Sequence, residues 1–342
     1  MDTNSLEQTI KVMITPGKGI LAADESSPTI KKRFDAIKVE STEENRRAYR
    51  ELLFTTPELE KYICGVILYE ETLGQKTVDG VPFPKLLEKR GIVPGIKVDK
   101  GLIPFESSAD EKITQGLDGL PDRFEEYKKL GARFAKWRAV FKISDVYPSK
   151  LAMKIHACLL ARYAKICQNA GLVPIVEPEV LMDGNHSLEK CAEVSEKVFH
   201  QVFHKLHKHK VNLELMILKP NMIVAGKEFS KQPSVEEVAR ATIKILRRTV
   251  PATVPTINFL SGGQSDVMAT ENLNAINQLG PQPWYLSFSY GRALQAPCLK
   301  VWLGKKENVA AAQLALLKRA RLNSAAAIGK YTKDMEKQIN TP

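Results

Sequence analysis

The fold class this sequence predicts is a single closed (β/α)8 barrel, the TIM-barrel architecture. Three observations lead there: eight short apolar runs, intervening segments mostly long enough for a crossover helix, and no composition break that divides the chain. The runs occupy residues 19–23, 64–69, 95–98, 134–140, 172–176, 213–218, 256–260 and 285–288. Each has the length of a buried parallel strand and is too short for an ordinary helix. Between them, Ser-x-x-Glu spacing at Ser41/Glu44 and Ser234/Glu237 predicts capping boxes ahead of amphipathic helices. The connections 78–90 and 105–120 read as loops. A doubly wound sheet of eight strands would ordinarily be interrupted by a second domain, so closure is the simpler solution. The barrel is expected to take in residues 1–342, with a short tail from about residue 331.

The chain has 342 residues, of which 44% are hydrophobic, enough for a large core. Fifty Lys and Arg against 39 Asp and Glu give a net charge of +11, which favours anionic partners. Much of that charge is interleaved with acids, as in Glu43-Glu44-Asn45-Arg46-Arg47, and no basic stripe interleaved with aromatics appears. Specific nucleic-acid binding is therefore not expected. The five cysteines form no CxxC, and neither disulfides nor a zinc ribbon is indicated. No run approaches the roughly 20 apolar residues of a membrane span, and the first residues carry no apolar signal core. A soluble, cytoplasmic protein is the expectation.

In this architecture chemistry sits at the carboxyl ends of the strands, so charged residues ending apolar runs are the ones to collect. Asp24 closes the first run, Lys97 lies in the third, and Lys136 and Arg138 interrupt the fourth. Glu177 and Glu179 end the fifth, Lys219 the sixth, Ser261 the seventh, and the stretch 289–292 the eighth. Two-residue spacing puts Lys136 with Arg138, and Glu177 with Glu179, on one strand face each. Charges in buried parallel strands need partners, so these are expected to share one interior polar site. The paired carboxylates there suit either a general acid/base set aside by unequal environments or a divalent metal, against which stand the competing Lys and Arg and the lack of a histidine ending a strand.

The Gly-rich turn Ser261-Gly262-Gly263 leads into a helix and offers backbone N–H groups to an anion. With Gly291 and Arg292 after the eighth run it forms one candidate phosphate pole. Lys97 and Arg138, with Ser26, Ser27, Lys32 and Arg33, form a second. Two cationic poles around one pocket suit a bisphosphate. A lysine beside other cations in a desolvated pocket has its pKa lowered toward a nucleophilic amine, and Lys97, Lys136 and Lys219 all qualify on position.

Seven segments then fall into a pattern: Gly17-Lys18-Gly19-Ile20-Leu21-Ala22-Ala23-Asp24-Glu25-Ser26, Gly95-Ile96-Lys97-Val98-Asp99-Lys100-Gly101, Phe134-Ala135-Lys136-Trp137-Arg138, Val173-Pro174-Ile175-Val176-Glu177-Pro178-Glu179, Leu218-Lys219-Pro220-Asn221, Phe259-Leu260-Ser261-Gly262-Gly263-Gln264-Ser265 and Phe288-Ser289-Tyr290-Gly291-Arg292-Ala293. In order, and over nearly the whole chain, they resemble class I fructose-bisphosphate aldolase. The resemblance implies that Lys219 forms a Schiff base, that Glu177 is the principal general acid/base, and that Asp24 handles the hydroxyl beside the broken bond. It implies that Lys136 and Glu179 maintain the charge pattern, with Ser261, Gly262, Gly291 and Arg292 binding the ketone-side phosphate and Ser26, Lys97 and Arg138 the other. It also implies no metal or cofactor, a homotetramer, and secondary cytoskeletal or adhesin partners. Two departures stand out: Ser27-Pro28-Thr29 replaces a small Thr-Gly-Ser, and the chain stops at Asn340-Thr341-Pro342 without the family's terminal tyrosine.

Three rival readings compete. His200, His204 and His207 have helical i, i+4, i+7 spacing and suggest a metal site, which insensitivity to chelators would dismiss. The net charge suggests a nucleic-acid or cytoskeletal scaffold. A transaldolase is another Schiff-base barrel, against which the two phosphate poles argue.

Overall fold

The computed structural model describes residues 3–337. Its sheet is a closed barrel of eight parallel strands: β1 (Gly19–Ala23), β2 (Ile63–Leu68), β3 (Val93–Lys97), β6 (Phe134–Phe141), β7 (Val173–Val180), β8 (Ile217–Leu218), β9 (Thr256–Phe259) and β10 (Tyr285–Tyr290), with β10 paired back onto β1. A two-stranded antiparallel hairpin, β4 (Leu102–Phe105) and β5 (Ser108–Thr114), stands outside the barrel sheet.

All eight apolar runs carry barrel strands, with shifts at their ends. The fifth strand continues to Val180, so Glu177 and Glu179 lie within it rather than beyond it. The sixth shrinks to Ile217–Leu218 because Leu213–Leu215 forms a 3-10 turn, started by the Asn212 side chain accepting from the Glu214 N–H. The connection 78–90 contains a helix, Phe83–Lys89, and 105–120 contains most of the hairpin. The hairpin escaped notice because Leu102 and Pro104 face outward, which leaves no continuous apolar run. The capping box at Ser234/Glu237 forms in both directions. The one expected at Ser41/Glu44 does not. Thr42 caps that helix, accepting from the Asn45 N–H, while Glu44 pairs with Arg47.

Inside the barrel, Ile20, Ala22, Ile67, Ile175 and Ile217 form a core that Leu6, Ile10 and Met13 of the N-terminal helix close from below. Bulky rings need room there. A Cβ added to Gly95 would fall 2.2 Å from the Phe134 ring, and one added to Gly19 would fall 2.5 Å from Phe288. The outward strand faces pack against the surrounding helices in a second, larger cluster. With apolar side chains filling the lower barrel, polar chains are left the carboxyl-end rim.

The tail expected from about residue 331 begins as packed structure. Tyr331 is buried, its N–H donates to Asn274 Oδ1, and Glu336 pairs with the buried Arg319 at 2.6 Å. Asn340-Thr341-Pro342 lie outside the described residues. His200, His204 and His207 project from the exposed face of the helix Leu188–Lys208, and among the described residues no group of three or more His, Cys, Asp or Glu is placed to hold a metal ion. Four of the five free cysteines are buried and Cys158 is half-buried. No helix of the described residues is long and apolar enough to cross a membrane.

Candidate active site

The parallel register of β6 on β7 sets Arg138 beside Glu177 and Val140 beside Glu179, and that of β3 on β6 sets Lys97 beside Lys136. Alternation then turns Lys136 and Arg138, and Glu177 and Glu179, toward the barrel mouth. Lys219 follows the short β8 directly, its backbone N–H fixed by Val176 O. Lys136, Glu177, Glu179 and Lys219 are each less than 8% exposed.

Buried charges need partners, and these have them. Lys136 Nζ lies 2.7 Å from Asp24 Oδ2 and 3.2 Å from Glu177 Oε2. Lys219 Nζ lies 3.2 Å from the other oxygen of Glu177. Arg138 Nε donates to Glu179 Oε2, and Lys97 Nζ is 3.3 Å from Asp99 Oδ1. Burial pushes the Asp24 carboxyl up, but Lys136, Lys219 and Lys97 together outweigh it and hold Asp24 well below the usual carboxylate range. Glu177 is likewise pushed up by burial and brought below its ordinary value by Lys136, Lys219 and Arg138. Lys136 moves the other way. Burial lowers it, and the facing Asp24 and Glu177 raise it further, so it stays a permanent cation. The sequence predicted cationic neighbours for a nucleophilic lysine; the direct ion-pair contact of Lys219 is the Glu177 carboxylate, and the Lys136 cation lies on that carboxylate's other oxygen. The reason is the same electrostatic requirement: an amine buried in a barrel mouth has to face an anion.

All twelve residues to which the resemblance gives a role line one cavity of about 250 Å³: Asp24, Ser26, Lys97, Lys136, Arg138, Glu177, Glu179, Lys219, Ser261, Gly262, Gly291 and Arg292. Arg33 joins them, but Ser27 and Lys32 do not, Lys32 pointing to solvent from the helix Ser27–Asp35. Thr29 also lines the cavity, and its hydroxyl lies 3.1 Å from that of Ser26 despite the proline in this loop. The turn after β9 places Gly262 and Gly263 at φ +54° and +91°, which glycine adopts without strain. Their N–H groups have no acceptor among the described residues, leaving them available to an anion.

Three supporting residues were not found from the sequence. Glu25 is buried between Arg33 and Arg50 and accepts from Gln295, which also holds Tyr49. Arg50 sits on the otherwise apolar inward face of the helix Glu43–Thr55, and a charge at such a position was the available signal. A larger cavity, about 570 Å³, opens at the amino ends of β9 and β10, but Lys18 is its single charged lining residue. It offers no acid–base pair, so the smaller cavity is the chemical one.

Comparison with known proteins identifies the family. The family model "Fructose-bisphosphate aldolase class-I" matches residues 5–341. A fructose-bisphosphate aldolase of Echinococcus multilocularis is 56% identical, over 97% of this chain and 92% of its own. A probable class 1 fructose-bisphosphate aldolase of Xanthomonas campestris is 53% identical, over 97% and 99%. The Plasmodium falciparum fructose-bisphosphate aldolase, solved in complex with TRAP and a small molecule inhibitor, superposes with a TM-score of 0.95 at 55% identity, covering 96% of this chain and 95% of that one. The chain therefore belongs to the class I fructose-bisphosphate aldolase family, and its reaction is the reversible cleavage of fructose 1,6-bisphosphate to dihydroxyacetone phosphate and glyceraldehyde 3-phosphate.

Proposed function

We propose that the cleavage runs through a Schiff base on Lys219, with Glu177 as the principal general acid/base. The observation that carries this is the contact of Lys219 Nζ with Glu177 Oε1 at 3.2 Å, while Lys136 occupies the other oxygen. One carboxylate is thus within reach of the nucleophile and of the proton it must lose. Glu177 takes a proton from the Lys219 ammonium, the free amine adds to the ketone carbon, and Glu177 returns that proton to the carbinolamine hydroxyl, which leaves as water. The resulting iminium accepts the electron pair of the breaking bond between the third and fourth carbons. Asp24, kept anionic by Lys136, takes the proton of the fourth-carbon hydroxyl as the aldehyde forms. Protonation of the enamine and hydrolysis of the iminium free dihydroxyacetone phosphate and Lys219. Glu179 holds Arg138, and Lys136 holds Asp24 and Glu177 in their charged forms.

The substrate's two phosphates are assigned to opposite sides of the mouth. Ser261, Gly262, Gly291 and Arg292 take the ketone-side group; Ser26, Lys97 and Arg138 take the other. No metal or other cofactor is called for, since the cationic iminium accepts the electron pair of the breaking bond and becomes a neutral enamine. Borohydride reduction in the presence of dihydroxyacetone phosphate tests the assignment. An adduct that maps to Lys219, persists with a chelator and vanishes in Lys219→Ala is expected; an adduct elsewhere, or none, refutes it.

Assembly as a homotetramer is supported by the family and by an apolar stripe on the helix Lys150–Asn169, where Leu151, Ile155, Leu159 and Ile166 stay partly exposed. Sedimentation equilibrium at a single chain mass would refute it. A cytoplasmic location fits the absence of a spanning helix among the described residues and the relative from Arabidopsis thaliana named as cytosolic. Because the Plasmodium falciparum enzyme was solved with TRAP, a cytoskeletal or adhesin partner is a second role to test, by salt-dependent pull-down with catalysis monitored alongside.

A further inference from the structure

We propose that Lys227 is an additional cation of the ketone-side phosphate site, parked on Asp183 until the phosphate arrives. This rests on the assignment of Ser261, Gly262, Gly291 and Arg292 to that phosphate. Lys227 belongs to the connection after β8, and its backbone is fixed tightly against the loop after β7. Its N–H donates to Met182 O, and that of Gly226 donates to His186 O. Only glycine fits beside it, because a Cβ on Gly226 would fall 2.1 Å from Gly184 O. The position from which Lys227 projects is therefore set by the fold.

From there the side chain reaches over the phosphate turn. The point where a Gly263 Cβ would stand is 2.8 Å from Lys227 Cε, 2.9 Å from Lys227 Nζ and 3.8 Å from Arg292 Nη2. Two cations from different connections thus converge on a turn whose Gly262 and Gly263 N–H groups lack acceptors among the described residues. Arg292 has no side-chain partner among those residues, whereas Lys227 has one, Asp183 Oδ1 at 2.8 Å.

That pair is loose by its setting. The Lys227 and Asp183 side chains are 43% and 66% exposed, and ion pairs so exposed contribute little. A phosphate monoester carries more charge than a carboxylate and accepts several charge-assisted hydrogen bonds, so exchanging one anion for the other is favourable. Lys227 pairs with none of Asp24, Lys136, Glu177 and Lys219, so it acts on binding of the ketone half and leaves the bond-breaking step alone.

The test uses the full-length enzyme with Lys227→Met and Asp183→Asn. Dihydroxyacetone phosphate probes the ketone side as a competitive inhibitor, and glyceraldehyde 3-phosphate probes the other pole. Lys227→Met should raise the inhibition constant of dihydroxyacetone phosphate and the KM for fructose 1,6-bisphosphate by about twofold to fivefold, the scale of one partly exposed ion pair, with kcat little changed. Asp183→Asn should lower the same constants. Glyceraldehyde 3-phosphate should bind as before. Constants for dihydroxyacetone phosphate that stay put in both variants, or equal shifts for the two triose phosphates, would overturn the role of Lys227. Failure of dihydroxyacetone phosphate to form a borohydride-stable adduct in the wild type would instead refute the reading of the site itself.

Discussion

Replacing Lys136 by Met removes the cation that two buried carboxylates share. Lys136 Nζ is 2.7 Å from Asp24 and 3.2 Å from Glu177, and all three side chains are at most 12% exposed. Glu177 keeps Lys219 at 3.2 Å, so the anion left without an ion-pair partner is Asp24. Stripping one partner from a buried ion pair costs about 3–5 kcal/mol, and methionine matches the lysine stem closely enough to add little cavity cost. The penalty should depend on pH. In the wild type, Asp24 and Glu177 have folded pKa values below their unfolded ones, so their contribution is fully present above roughly pH 4 and lost as pH falls further. In the variant the burial of Asp24, opposed now by Lys219 and Lys97 alone, raises its folded pKa above the unfolded one. The folded variant then binds more protons than its unfolded chain, and its stability rises as pH is lowered from 8 toward 5. Urea unfolding at fixed protein concentration should thus show a deficit of about 3–5 kcal/mol at pH 8 that narrows at pH 5. A deficit under about 1 kcal/mol at pH 8, or one independent of pH, would refute the network as described, because an interaction of solvated groups behaves that way.

Three further outcomes are expected. Glu177 lies below its ordinary value, so the acid limb of kcat/KM that reports its ionisation should fall below the usual glutamate pKa of about 4.3, and Arg138→Met should move that limb upward in a stopped pH profile. Gly95→Ala places a methyl 2.2 Å from the buried Phe134 ring, and overpacking of this kind should cost about 1–3 kcal/mol in thermal unfolding while leaving the spectrum of the folded state intact. Arg292→Met should raise the KM for fructose 1,6-bisphosphate by about tenfold to a hundredfold, the loss of a charge-assisted phosphate contact; an unchanged KM would mean that the ketone-side phosphate sits elsewhere.

The sequence by itself determined where the barrel strands lie and which side chains crown them. Eight apolar runs can be buried on both faces only in a covered parallel sheet, and a charge ending such a run is too costly to leave without purpose. Asp24, Lys136, Glu177 and Lys219 were legible for that reason, as were Ser261 and Gly262 from their place after the seventh run. What the tertiary structure decided is how those groups share charge. No spacing along the chain says that Lys136 lies between Asp24 and Glu177, that Lys219 faces an acid, or that Lys227 reaches the turn at Gly263, because each contact joins segments on different strands or in the connections after them and is set by closure of the barrel. Glu25, Arg50 and Gln295 were hidden for a related reason: their network joins the loop after β1 to helices far along the chain. The hairpin Leu102–Thr114 was missed because exposed strands lack the apolar signature that burial imposes. Local sequence encodes what each segment must bury, whereas pairing between segments follows from closing the barrel.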